Sequence, residues 1–66
     1  MKALKGKIGG YDYVATRTIG LASPVIEYYD VSVNEGEHKF TYRHNKRFGE
    51  VREGLENQIL ALAVKW

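Results

Sequence analysis

The feature that most limits how this chain can fold is a strict apolar/polar alternation on both sides of Asn34-Glu35-Gly36-Glu37. When Val33 is set opposite His38, Val31 falls opposite Phe40 and Tyr29 opposite Tyr42. These side chains share one face, because successive side chains of a strand point to opposite sides. The other face receives Ser32, Lys39, Asp30, Thr41, Tyr28 and Arg43. A slip of one residue would exchange the two sets, so burial of the aromatic face dictates the register. The pattern predicts a hairpin with strands over 25–33 and 38–45. The turn type stays open, because Glu35-Gly36 is not a strong pair for a tight primed turn.

A second alternation precedes it, from Lys2 to Ile19. Gly9-Gly10 suits a two-residue turn, since glycine reaches positive φ cheaply. Pairing across it sets Ile8 against Tyr11, Gly6 against Tyr13 and Leu4 against Ala15, all on one face. The ring of Tyr13 is expected to cover the gap at Gly6. Lys5, Lys7, Asp12 and Thr16 fall on the other face. Leu21-Ala22-Ser23-Pro24 interrupts the pattern, and Pro24, lacking a donor, ends a strand or sits on an edge.

Beyond Asn45 the spacing changes to intervals of three and four. Phe48, Val51, Leu55, Ile59, Leu62 and Trp66 form a stripe, with Glu50, Glu53 and Asn57 opposite. This predicts an amphipathic helix laid on the sheet, capped by Asn45, with Lys46 and Arg47 at its first two positions. Gly49 and Gly54 each cost about 1 kcal/mol relative to alanine and soften the first turns. Leu60, Leu62, Val64 and Trp66 also alternate as an edge strand would; the continued phase of the stripe favours helix. The expected fold is α+β: a three- or four-stranded antiparallel sheet of two hairpins, with one C-terminal amphipathic helix packed on one face. The expected core is Leu4, Ile8, Tyr13, Tyr29, Val31, Phe40, Tyr42, Phe48, Val51, Leu55, Ile59 and Leu62.

With 66 residues the expectation is a single small domain over 1–66. Such a chain buries only about 60% of its unfolded surface, and self-association is a common remedy. There is no cysteine, which removes disulfides and thiolate metal sites. Without a long apolar run, no signal peptide, membrane span or membrane partner is expected, and the expected location is cytoplasmic. The net charge of +2 permits a polyanionic partner without demanding one.

Catalytic chemistry is not expected. Ser23 and Ser32 are the only serines, placed in a turn and on a solvent face. His38 and His44 stand roughly 20 Å apart along one strand, too far to share a metal ion. Both point toward the core face and read as histidines at a sheet rim. Glu50, Glu53 and Glu56 read as a solvated helix side, and Glu27 and Asp30 fall on opposite faces of one strand. No phosphate loop, dinucleotide fingerprint or zinc spacing occurs. The expectation is no enzyme, no cofactor and no metal.

Three features suit binding. Arg43, His44, Lys46 and Arg47, with Arg52 one turn later, surround the expected helix N-terminus, where acidic residues are normally preferred. A local rule broken this way points to an anion site for phosphate or carboxylate, set against long side chains that swing into water or a Lys46–Glu50 pair. Second, Tyr28, Lys39, Arg43, Lys5 and Lys7 share the outward face if the hairpins join, a mixture that suits single-stranded nucleic acid. Asp12 and Asp30 weaken that field, and a local Tyr28–Arg43 pair is the plainer reading. Third, Leu60 and Val64 lie off the main stripe and would form an exposed apolar pair, or reflect fraying or closure against Trp66.

The placement of Asn45-Lys46-Arg47-Phe48 is loosely similar to the basic start of the terminal helix in double-stranded-RNA-binding domains, but the first helix of that fold has no counterpart here, and no family is assigned. Two functions follow as expectations. One is a nucleic-acid-binding accessory module using Arg43, Lys46, Arg47, Arg52, Tyr28 and Lys39. The other is a protein-binding regulator or inhibitor, including a homodimer, acting through a sheet edge or the Leu60/Val64 patch.

Overall fold

The computed structural model describes residues 3–18 and 25–66. The expectations for Lys2, for Ile19 and for Leu21-Ala22-Ser23-Pro24 lie outside the described residues. Strands β1 (Ala3–Ile8), β2 (Tyr11–Arg17), β3 (Ile26–Val33) and β4 (His38–Asn45) form one antiparallel sheet in the order β1-β2-β3-β4. A 3₁₀ turn over Lys46–Phe48 and helix α1 (Val51–Ala63) complete the α+β fold. No helix among the described residues is long and apolar enough to cross a membrane.

Both hairpins adopt the register that the alternation demands. Ile8 pairs with Tyr11, Gly6 with Tyr13 and Leu4 with Ala15. Val33 pairs with His38, Val31 with Phe40 and Tyr29 with Tyr42. The hairpins join through β2 and β3, with Tyr13 against Val33 and Ala15 against Val31. Gly9 and Gly10 both take positive φ, 55° and 84°, as a tight primed turn requires. The second turn is wider and more demanding: Asn34, Glu35 and Gly36 have φ of 51°, 58° and 94°. Asn34 anchors it to β2, its N–H donating to the Asp12 carbonyl at 2.7 Å and its Oδ1 accepting from the Asp12 N–H at 3.1 Å.

Helix α1 crosses the aromatic face. Leu55 and Ile59 are wholly buried against Tyr13, Ala15, Tyr29, Val31 and Val33. Leu4, Ile8, Tyr11, Phe40, Tyr42 and Val51 pack around them. Ala15 and Val33 thus join the expected core. Phe48 leaves it: its side chain stands 81% exposed.

The start of the helix is a correction. Residues 46–48 form a 3₁₀ turn, and Gly49 at φ 90° redirects the chain before α1 begins at Val51. Asn45 does cap, but it caps this short turn, its side chain accepting from the Arg47 N–H at 2.9 Å. Lys46 and Arg47 are therefore not at the N-terminus of the α-helix. That position belongs to Glu50, with Glu53 in the first turn, the charge sign the helix dipole favours. His44 on β4 holds the redirected chain. It is 4% exposed, and its Nε2 lies 3.1 Å from the Gly49 carbonyl. A carbonyl only accepts, so Nε2 carries the proton and Nδ1 is left to face the Tyr42 hydroxyl at 3.4 Å. At the other end the helix continues to Ala63 and closes in a turn, not a strand. Trp66 then stacks on His38 at 4.0 Å and meets Tyr11 edge-on at 5.4 Å.

Candidate functional site

With α1 on one side, no element among the described residues covers the other side of the sheet. The registers decide what that face displays. One row across all four strands reads Lys5, Val14, Ser32, Lys39. The next reads Ala3, Thr16, Asp30, Thr41, and beyond it Tyr28 stands beside Arg43. On the other flank Lys7 pairs with Asp12. The cations therefore lie on the two outer strands: Lys5 and Lys7 on β1, Lys39 and Arg43 on β4. Three strand spacings separate these rims, roughly 14 Å. Between them lies a shallow concavity of about 550 Å³ lined by Val14, Thr16, Asp30, Ser32, Lys39 and Thr41 among others.

No ion pair among the described residues ties up the cations of this face. Among the described residues, the ion pairs are Arg17 with Glu27 at 3.2 Å, Lys46 with Glu27 at 3.7 Å and His38 with Glu37 at 3.3 Å. None involves Lys5, Lys7, Lys39, Arg43 or Asp30. Glu27 gathers two cations and the Tyr29 hydroxyl, which donates to it at 3.1 Å. Local spacing shows neither cation partner of Glu27, and Lys46 pairs with Glu27 rather than with Glu50 one turn on.

The expected basic cluster is accordingly divided. Arg43, Lys39 and Tyr28 stand on the uncovered face, joined there by Lys5 and Lys7. Lys46 turns to Glu27, and Arg47 is exposed in the 3₁₀ turn. Arg52 works on the opposite side of the sheet. Its Nη1 donates to the Lys5 carbonyl at 2.9 Å and to the Tyr13 hydroxyl at 2.8 Å. The Tyr13 hydroxyl in turn donates to Glu56 at 2.6 Å, so Glu56 is not part of a purely solvated helix side. Leu60 and Val64 are exposed, at 42% and 83%, although Leu60 leans against the turn at Gly9.

Burial raises the hydroxyl pKa of Tyr13, Tyr29 and Tyr42 above the ordinary tyrosine value. For Tyr13 and Tyr29 the hydrogen bonds to Glu56 and Glu27 add to the rise. These groups stay neutral donors and hold the fold. A second concavity, about 430 Å³, is lined by Ala3, Leu4, Arg17, Glu27, Tyr29 and Val51. Its charged groups are paired with one another. Among the described residues no group of three or more His, Cys, Asp or Glu is placed to hold a metal ion. Compared with family models, with curated proteins and with solved structures, the chain has no significant match, so its residues take no role from a relative.

Proposed function

We propose that the chain is a non-catalytic binding module that holds single-stranded nucleic acid across its uncovered sheet face. The carrying observation is that Lys5, Lys7, Lys39 and Arg43 flank one face while none of them is neutralised in an ion pair. Of the other described cations, Arg17 and Lys46 pair with Glu27 and Arg52 donates to Tyr13, while Arg47 in the 3₁₀ turn and Lys65 beyond α1 lie outside the sheet. Unpaired cations on two rims suit a phosphate backbone, and Tyr28 offers a ring for base stacking. The uncovered face, open to solvent, suits a single strand with splayed bases. The test is fluorescence anisotropy with labelled single-stranded DNA and RNA at low salt. Binding should weaken steeply as salt rises and should be lost in a Lys5→Glu/Lys39→Glu/Arg43→Glu variant that keeps its circular dichroism spectrum. No binding by the wild-type protein at low salt removes the proposal.

A second reading rests on a different observation. Leu60, Val64 and Trp66 leave apolar surface exposed at one end of the molecule. That patch supports a protein-binding regulator or a homodimer. Sedimentation at rising concentration and a Leu60→Asp/Val64→Asp variant test it. A monomer at all concentrations removes the homodimer, and unchanged partner capture by the variant removes the patch.

A further inference from the structure

We propose that Asp30 makes the uncovered face selective for guanine, by accepting the two neighbouring N–H donors on the Watson–Crick edge of that base. This rests on the single-strand reading above. Asp30 stands on the inner strand β3, with Thr16 and Thr41 as its cross-strand partners. Its side chain is exposed, lines the central concavity and has no hydrogen-bond or ion-pair partner among the described residues. All four cations of the face lie on the outer strands. An acid at the centre of a phosphate-binding face lowers affinity for the backbone, whatever the sequence. It is useful only if the phosphates follow the rims and the bases reach the middle.

The chemistry of a carboxylate then selects the base. An ionised carboxylate only accepts. Guanine presents N1–H and the 2-amino group side by side, matching the two carboxylate oxygens. Cytosine and adenine each offer one amino group beside an acceptor ring nitrogen, which repels the second oxygen. Thymine and uracil offer a single N–H between two carbonyls. Recognition of unpaired bases by their Watson–Crick edges together with aromatic stacking is the usual mode for single strands. Tyr28 lies two residues from Asp30 on the same face, roughly 7 Å along the strand, within reach of the same or the adjacent base. The Thr16 and Thr41 hydroxyls on either side can donate to the guanine carbonyl.

The experiment compares short thymidine oligonucleotides with one central guanine, hypoxanthine, adenine or cytosine, by anisotropy at low salt, and repeats the guanine arm in a uridine strand. A bidentate base contact predicts about tenfold tighter binding of the guanine strand than of the all-thymidine strand. Hypoxanthine, lacking the 2-amino group, should lose most of that gain, and this arm needs no variant. Asp30→Asn should abolish the preference while binding the all-thymidine strand at least as well as wild type. Equal affinity for all strands overturns the assignment to Asp30 and leaves the single-strand reading standing. No binding to any strand overturns both. Competition by GMP at the affinity of the guanine strand reassigns the site to a free nucleotide.

Discussion

The Tyr42 hydroxyl occupies the position that a β-carbon on residue 54 would take, so any side chain there must displace it. Helix propensity alone predicts that Gly54→Ala stabilises the protein by about 1 kcal/mol. Packing predicts the opposite, since forcing an atom into a filled core site costs about 1–3 kcal/mol. The expected outcome is net destabilisation in urea or guanidinium unfolding. Removing the obstructing oxygen should relieve it, because the next nearest atom of the Tyr42 ring lies 3.3 Å from that β-carbon. A Tyr42→Phe/Gly54→Ala protein should therefore be more stable than the two single changes predict by addition. A Gly54→Ala protein that melts higher than wild type would refute the contact.

The Tyr13 hydroxyl joins Glu56 and Arg52 and so ties strand β2 to the helix, while Arg52 also holds the edge strand β1 through the Lys5 carbonyl. Tyr13→Phe removes hydrogen bonds to two charged groups and should cost about 1–3 kcal/mol. The same group gives a pH signature. Its folded-state pKa is raised, chiefly by burial and then by Glu56, as are those of Tyr29 and Tyr42. The folded protein therefore holds these protons more tightly than the unfolded chain does. The associated stability is complete below the ordinary tyrosine pKa of 10.0 and is lost as pH climbs through it toward the raised folded values. Melting temperatures should fall across this alkaline range, and less steeply in Tyr13→Phe than in wild type.

Arg43 and Lys46 lie three residues apart yet should respond differently in binding assays. Arg43 stands unpaired on the uncovered face, whereas Lys46 is directed to Glu27. Arg43→Ala should weaken single-strand binding and lower the salt-dependence slope by about 0.7, the loss of one phosphate contact. Lys46→Ala should leave the slope unchanged. Equal effects of the two would move the interface to the 3₁₀ turn.

Glu35 sits at φ 58°, in the left-handed region that side chains other than asparagine and glycine adopt at a cost. That cost is about 1 kcal/mol. Glu35→Asn should raise stability by about 0.5 kcal/mol, since asparagine tolerates this conformation. Glu35→Val should lower it. Thermal melts of the two variants provide the check.

Trp66 is the single tryptophan, and it closes the end of the sheet by stacking on His38 and meeting Tyr11. Two aromatic contacts of this kind predict a loss of about 1–2 kcal/mol in Trp66→Ala. With Trp66 retained, His38→Ala should change the near-ultraviolet circular dichroism and emission of Trp66 without altering the far-ultraviolet spectrum.

The pairing of both hairpins, down to the residue, was legible in the chain itself. Alternation places Tyr13, Tyr29, Val31, Phe40 and Tyr42 on one side, and a slip of one residue would bury Lys39 or Asp30 in their place. Gly9-Gly10 announced its turn because few residues accept two positive φ angles in succession. Local pattern thus determined the sheet's two faces, the direction of its strands and the side on which a helix must lie. Only the tertiary structure decided where that helix begins, since the redirection at Gly49 is held by His44 from the neighbouring strand. It likewise sent Lys46 to Glu27, Arg52 to Tyr13 and Phe48 into solvent. Periodicity reports which side of an element a residue occupies. The partner of a charge or a hydroxyl depends on distances between elements far apart in the chain, and those exist only once the layers have met.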